Sequence, residues 1–365
     1  MSMERILILA MNLNSGGAER QTVAIAKALK DQGCDVTVAC YSKGDFYLPE
    51  LENAGINVVW MIEKRYIRRV IRFRRLIRKG RFDAVISLLV TPNIINLLSA
   101  IGGKKWKVIL GERSAKGEFF KSIKAKFIKT MLRHADAIVC NSENAANIWR
   151  NFAPRNAHKV KCIYNLLPQY TSSATYIPRQ RDRVNVVIAA SYQPLKNMKR
   201  LILALSKLSV DEQQKIDVDW YGQINVSIYG TMPYEESKAL IKEHNLESVI
   251  SLNPPTTQIY ELMNLADAVA LVSEVEGLPN VICEALMLGK PIIMSNVSDY
   301  KVLVGNNNGF VCEYNDVDSI TKALRSLIAL NEEQLLELGS RSHDIYKDKL
   351  APEVIVKEWT RLIVD

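Results

Sequence analysis

Short apolar runs alternate with amphipathic stretches twice along this chain, and that alternation restricts the fold more than any other feature. In the first half the runs are Arg5–Met11, Asp35–Cys40, Val58–Ile62, Ala84–Leu89, Lys107–Leu110 and Ala137–Asn141, with helical patterns such as Ala18–Lys30 and Ser142–Asn151 between them. Strands separated by helices of that length predict a parallel sheet covered on both faces. The pattern breaks over Tyr164–Arg183, where Pro168, Thr171-Ser-Ser and Pro178 read as a linker. It resumes with Val184–Ala190, Asp217–Trp220, Val249–Leu252, Ala268–Val272 and Pro291–Met294, and Glu353–Asp365 reads as a closing amphipathic helix.

A chain of 365 residues exceeds what one hydrophobic core serves. The expectation is therefore an α/β protein of two Rossmann-like, doubly wound parallel-sheet domains. Residues 1–170 form the first, 171–183 the linker, 184–350 the second, and 351–365 a helix expected to pack back toward the first. Ligands of such folds bind at the carboxyl edges of the strands, which predicts a cleft between the domains.

Charge divides along the same line. Residues 1–170 hold 29 Lys and Arg against 13 Asp and Glu, a net of +16, while the remainder is net −7, giving +9 for the chain. A basic half points to an anionic partner, whether membrane surface, nucleic acid or phosphorylated substrate. The six cysteines (Cys34, Cys40, Cys140, Cys162, Cys283 and Cys312) show no metal-ligand spacing and fit reduced, buried thiols of a cytosolic protein. The apolar run Ile6–Met11 is too short for a secretory core, and no uninterrupted apolar segment is long enough to span a bilayer.

Two segments carry chemistry. Asn14-Ser-Gly-Gly-Ala-Glu-Arg20 follows the first strand and opens the first helix, so Gly16 and Gly17 would let backbone amides approach an anion such as a diphosphate. A plain strand-to-helix turn is the other reading, and the absence of G-x-G-x-x-G disfavours a dinucleotide. The stronger segment is Ser273-Glu-Val-Glu-Gly-Leu-Pro-Asn-Val-Ile-Cys-Glu284, just past the strand Ala268–Val272. With a helix begun at Pro279, Glu284 falls on the second turn, and the first-turn amides of Asn280 and Val281 are left for an anionic ligand. A carboxylate accepts from the paired hydroxyls of a ribose or hexose. A solvated helix carboxylate is the alternative.

Glu276-x7-Glu284, set in E-G-L-P-N-V-I-C-E, resembles the retaining nucleotide-sugar glycosyltransferases of family 4, which have the GT-B fold of two facing Rossmann-like domains. The resemblance implies that Glu284 binds the ribose hydroxyls and that Glu276 contacts the donor hexose. It further implies that the backbone over Gly277, Leu278, Pro279 and Asn280 holds sugar and diphosphate. Lys196, in Pro194-Leu-Lys-Asn197, matches the family's diphosphate-binding lysine, where a fixed cation stabilises the charge of the leaving group. Ala190-Ser191 stands where the family usually has Gly-Arg, and Gly111-Glu-Arg-Ser114 stands where many members carry a histidine. Arg113 or Glu112 is expected in that place, which makes Glu276, Lys196 and Arg113 the candidate catalytic set. The glutamates are binding and orienting groups in this reading, not a hydrolase pair.

Asp217-Val-Asp219 and Asp316-Val-Asp318 imitate a metal-binding DxD, but the first lies in a strand and the second opens a helix. No histidine pairing at ligand spacing accompanies them, so no metal and no cofactor beyond the nucleotide sugar are expected. Ten Lys and Arg fall within Lys64–Arg81, interleaved with Tyr66, Val70, Phe73 and Ile77 at helical spacing, and Phe119–Lys129 repeats the theme. Arg68, Arg69, Arg72, Arg75, Lys121 and Lys124 are read as facing an anionic membrane or acceptor. No RNP, KH or zinc-finger pattern supports nucleic acid. Within the resembled family this predicts a metal-independent enzyme on the cytoplasmic face of the plasma membrane. It would move a hexose or N-acetylhexosamine, GalNAc or GlcNAc from UDP, to a polyprenyl-diphosphate-linked glycan in O-antigen-type synthesis. A UDP-sugar epimerase and a basic nucleic-acid-binding protein are the alternatives.

Overall fold

A computed structural model describes residues 3–112, 117–168, 170, 183–226, 228–305 and 307–364. The chain divides into two compact units, Met1–Pro168 with Pro352–Asp365, and Gln169–Ala351. Of the linker read at 171–183, all but Arg183 lies outside the described residues.

The first unit holds β1 (Arg5–Ala10), β2 (Asp35–Cys40), β3 (Asn57–Trp60), β4 (Ala84–Leu88), β5 (Lys107–Glu112), β6 (Ala137–Cys140) and β7 (Val160–Cys162). They form one sheet in the order β3-β2-β1-β4-β5-β6-β7. Every pairing is parallel, with Arg5 opposite Asp35 and Ile6 opposite Ala84. Apolar residues fill both faces because each face has its own helices. Leu7, Leu9, Val85, Val108 and Leu110 enter one core with side chains of the helices Tyr66–Lys79, Val90–Ala100, Ile123–Met131 and Glu143–Phe152. Ile6, Ile8, Ile86, Ile109 and Val139 enter the opposite core, where they meet Val23, Ile25 and Leu29 of the helix Gly17–Asp31. Ile355, Trp359 and Ile363 of the terminal helix Pro352–Val364 complete that second core.

The second unit holds β8 (Val184–Ala189), β9 (Ile216–Tyr221), β10 (Ile250–Asn253), β11 (Ala268–Leu271), β12 (Ile292–Ser295) and β13 (Gly309–Cys312), ordered β10-β9-β8-β11-β12-β13 and again all parallel. Val186, Ile188, Val218 and Trp220 pack against Leu201, Leu205, Ile320 and Leu324. The helix Asn280–Met287 packs against β11, β12 and the helix Glu332–Lys349. In this order β8 and β11 are neighbours at the point where successive strands turn to opposite edges, so the loops that leave their carboxyl ends meet.

Two strands have no counterpart among the apolar runs of the sequence, β7 and β13. Both are short edge strands that pair on one side only, β7 to β6 and β13 to β12. Among the described residues, no helix is long and apolar enough to cross a membrane.

Candidate active site

The site is built where the β8 and β11 loops meet. After β8 the chain runs through a one-turn 3-10 helix, Pro194–Lys196, and turns at Asn197 into the helix Met198–Ser206. Asn197 holds a left-handed conformation at φ 66°, which asparagine tolerates better than most residues. Its buried side-chain amide donates to the carbonyls of Val272, at 2.9 Å, and Tyr314, at 2.7 Å. Val272 immediately follows β11, so this amide ties the lysine turn to the start of the Ser273–Glu284 segment. The Glu274 amide donates to the Leu195 carbonyl at 2.8 Å, and Arg200 Nη1 lies 2.6 Å from Glu274 Oε1.

Across this seam Lys196 Nζ lies 2.6 Å from Glu276 Oε1, with the two side chains 20% and 13% exposed. Partial burial strengthens such a pair relative to one in open water. One oxygen of Glu276 faces the ammonium, and a carboxylate's remaining acceptor sites suit the hydroxyls of a polyol. The loop that carries Glu276 is also held from β12 and the turn after it. Ser295 Oγ donates to the Ser273 carbonyl at 2.6 Å, and the Ser298 hydroxyl donates to the Gly277 carbonyl.

Beyond Gly277, Leu278 and Pro279 are buried, and Pro279 sits at the N-cap of Asn280–Met287 without contributing a side-chain cap. The first turn of an α-helix leaves amides without intrahelical acceptors and carries the positive end of the helix dipole. Glu284 is buried on the second turn. The neighbouring Cys283 thiol is pushed up by burial first, then by the Glu284 and Asp299 carboxylates.

At the position where the resembled family has Gly-Arg, the carbonyl of Ala190 accepts from Trp220 Nε1 at 2.6 Å. A Cβ placed on Gly222 would come within 1.9 Å of that carbonyl oxygen and 3.0 Å of Ser191 Cα. Gly222 is therefore required for the β8 and β9 ends to lie this close. Arg200, the arginine that follows Lys196 in the chain, is committed to Glu274 and to Asn197 Oδ1 at 2.9 Å.

The first-unit candidates fall as follows. Gly16 N-caps the helix Gly17–Asp31 in an extended conformation, and a Cβ there would lie 2.4 Å from Glu19 Oε2. The helix thus keeps its own acid at its positive end. Around Gly17 a Cβ would meet nothing within 4 Å. Glu112 is the buried last residue of β5, and Arg113 lies outside the described residues. Arg68, Arg72, Arg75, Lys121 and Lys124 are exposed. Arg69 turns to the chain itself, donating to the Glu63 carbonyl at 3.0 and 2.8 Å and lying 4.3 Å from the Tyr41 ring centroid.

Both DxD segments have local partners. Asp217 lies 3.0 Å from Arg183 Nη2, and Asp219 accepts from Asn185 Nδ2 at 2.8 Å, both from β9. Asp316 caps the helix Val317–Ile328, and Asp318 pairs with Lys207 at 2.6 Å.

Sequence reading named Lys196, Glu276 and Glu284 but missed the groups that position them: Asn197, Gly222, Glu274, Ser295 and Ser298. Only Asn197 carried a local signal, as an asparagine placed at a helix start.

Both halves of the chain match known glycosyltransferases. Residues 177–342 match the glycosyl transferases group 1 family, and residues 15–167 match glycosyltransferase family 4. An uncharacterized glycosyltransferase of Haemophilus influenzae is 27% identical, over 99% of this chain and 100% of its own length. From Campylobacter jejuni, N-acetylgalactosamine-N,N'-diacetylbacillosaminyl-diphospho-undecaprenol 4-alpha-N-acetylgalactosaminyltransferase is 23% identical over 89% of this chain and 90% of its own. Anabaena HepE in complex with UDP and glucose superposes with a TM-score of 0.80 at 18% identity, covering 98% of each chain. The lipopolysaccharide outer core galactosyltransferase WaaB superposes with a TM-score of 0.75 at 16% identity, also over 98% or more. With both halves matched in order, and the architecture shared across the full length, the chain belongs to the family 4 glycosyltransferases of GT-B fold.

Proposed function

We propose that this glycosyltransferase moves a hexose or N-acetylhexosamine from a uridine diphosphate donor to a lipid-diphosphate-linked glycan, with retention of anomeric configuration and without a metal. The observation that carries the reading is the 2.6 Å contact between Lys196 and Glu276, beside the start of the helix that bears Glu284. Lys196 supplies the fixed cation for a leaving diphosphate. Glu276 orients the hexose, and Glu284 takes the ribose hydroxyls.

Three further features support the details. Among the relatives, the Campylobacter enzyme is named for a diphospho-undecaprenol-linked acceptor, and HepE was crystallised with UDP. The excess of cations in residues 1–170 suits a diphosphate on an anionic membrane, in the assembly of a surface polysaccharide at its cytoplasmic face. In the reaction the bond from the anomeric carbon to the diphosphate oxygen breaks, and a bond to the acceptor oxygen forms on the same face. The acceptor proton passes to the departing phosphate, so no protein nucleophile is required.

The test begins with thermal shifts against a panel of UDP- and GDP-sugars, since a ligand at 100 times its Kd adds about 2.7 kcal/mol of stability. The best donor is then incubated with a polyprenyl-diphosphate-linked sugar, with and without chelator, and the product linkage is read by NMR. Retained configuration and chelator resistance are expected. An inverted product, a chelator-sensitive rate, or donor epimerisation without any acceptor would overturn the proposal.

A further inference from the structure

The cationic helix Tyr66–Lys79 does not spend its charges alike. Phe73 and Ile77 are buried in the core. Arg74 donates to the carbonyls of Leu98, Ser99 and Ile101 at 2.7, 2.9 and 2.8 Å, and Arg78 donates to that of Gly103 at 2.8 Å. These two arginines close the carboxyl end of the neighbouring helix Val90–Ala100, as cations near a helix C-terminus do. Arg69 is held on Glu63 and Tyr41 and Arg72 Nη1 donates to the Ile62 carbonyl at 3.2 Å, so two of the arginines read as membrane-facing bond the chain's own backbone.

What the helix leaves outside is a pair of isoleucines one turn apart, Ile67 at 74% and Ile71 at 51% exposure. Both lie off the stripe that packs into the core, on the arc that also carries Arg68 and Arg75. The helix Ile123–Met131 repeats the arrangement. Ala125 and Ile128 are buried, while Ile123 at 86% and Phe127 at 37% exposure stand one turn apart among Lys121, Lys124 and Lys126.

The two helices belong to one layer. Each packs against Val90–Ala100, and their buried residues share one core. Val90–Ala100 itself is almost wholly buried, so of these three helices the outer two are the ones that reach water. Single exposed apolar residues are ordinary. A turn-spaced pair framed by cations, occurring twice in one layer, fits a surface with an apolar interior below a layer of negative charge.

We propose that Ile67 with Ile71, and Ile123 with Phe127, are the two points at which the first unit enters the interface of an anionic bilayer. The framing lysines and arginines remain at headgroup level while the apolar tips pass below it. Electrostatic attraction alone would use the cations and leave these four positions indifferent. A protein partner would want one continuous patch of about 800 Å², whereas here the helix Val90–Ala100 separates two small ones. The inference rests on the membrane-linked acceptor proposed above.

The experiment is flotation of the full chain with vesicles of phosphatidylcholine, with and without phosphatidylglycerol, at low and high salt. Wild type is compared with Ile67→Ser/Ile71→Ser, Ile123→Ser/Phe127→Ser and Arg68→Gln/Arg75→Gln. Each apolar double variant is expected to weaken binding to anionic vesicles by about tenfold or more and to lose the salt-resistant part of it. That tenfold corresponds to about 1.4 kcal/mol. The arginine variant should lose mainly the salt-sensitive part, and all three should keep wild-type donor affinity. Single Ile67→Trp and Ile123→Trp variants should show a blue-shifted fluorescence component on vesicles. Apolar variants that float like wild type, or tryptophans that stay water-exposed, would overturn the insertion while leaving membrane recruitment standing. A wild type that binds no anionic vesicle overturns both.

Discussion

The ammonium of Lys196 and the Oε1 atom of Glu276 lie 2.6 Å apart across 80 residues of chain. The contact exists because β8 and β11 are neighbours in the sheet, which brings their loops together. It makes the cation proposed for the diphosphate and the acid proposed for the hexose one unit.

Because the two groups act together, their variants should not be additive. Lys196→Met is expected to lower kcat by roughly 100-fold or more, and a double-mutant cycle with Glu276→Gln should give a coupling of about 0.5–3 kcal/mol. Glu284→Gln should instead raise the Kd for the free nucleotide with a smaller effect on kcat. Isothermal titration and steady-state kinetics separate the two. Wild-type kinetics in all three variants would remove this site from consideration.

Asn197 is expected to matter as much for stability as for catalysis. Asn197→Ala removes two buried amide hydrogen bonds and puts a Cβ residue less suited to φ 66° at the turn, at a cost of about 2–4 kcal/mol. Asn197→Gly should recover about 1 kcal/mol, the conformational part. Melting curves of the three proteins test the division, and kcat should fall in both variants because Lys196 rides on this turn.

Gly222→Ala should disturb the site from just past the end of β9, which contributes no charged group to it. Its Cβ would overlap the Ala190 carbonyl, which is backbone and cannot swing away as a side chain would. The β8 loop must then move, so donor affinity should drop by an order of magnitude or more, consistent with the usual cost of about 1–3 kcal/mol for overpacking. Thermal shifts with and without donor report it.

Lys290 gives the second unit a pH dependence. Burial pushes its ammonium down to about 7, against an opposing pull from the Asp267 carboxylate. Between about pH 7 and the ordinary lysine value of 10.5, the unfolded chain holds a proton that the folded chain rejects. Stability from this residue should therefore rise with pH across that window. Near pH 7 and below, the folded state carries the buried charge and the penalty is fully present. Lys290→Met should flatten the rise, by an amount on the order of a few kcal/mol between the two ends. Urea midpoints at several pH values test it, and equal slopes in both proteins would contradict it.

The terminal helix should be required by the first unit. Trp359 is buried in its core with Ile355 and Ile363, so Trp359→Ala is expected to cost about 3–5 kcal/mol. Limited proteolysis should then cut residues 1–168 before residues 183–351.

Much of the fold could be read from the chain. The period-two and period-3.6 apolar patterns marked eleven of the strands because both faces of each sheet are covered, leaving near-continuous apolar runs. Two of the four edge strands, β7 and β13, escaped notice. Val160-Lys-Cys162 and Gly309-Phe-Val-Cys312 bury less and contain little to distinguish them from loop. They become strands only by pairing with β6 and β12.

The sequence by itself determined the two-unit α/β architecture and the spacing of Glu276 and Glu284, since these depend on local period and on positions within one loop and helix. Tertiary structure alone decided that Lys196 meets Glu276, that Asn197 locks the lysine turn to Val272, that Gly222 must lack a side chain, and which residues of the closing helix enter the first core. It also decided which arginines of Tyr66–Lys79 serve carbonyls and which face water. The physical reason is the same in each case: a hydrogen bond or a packing contact between residues far apart in sequence leaves no periodicity behind, and it is specified only when the sheet order has placed the two segments side by side.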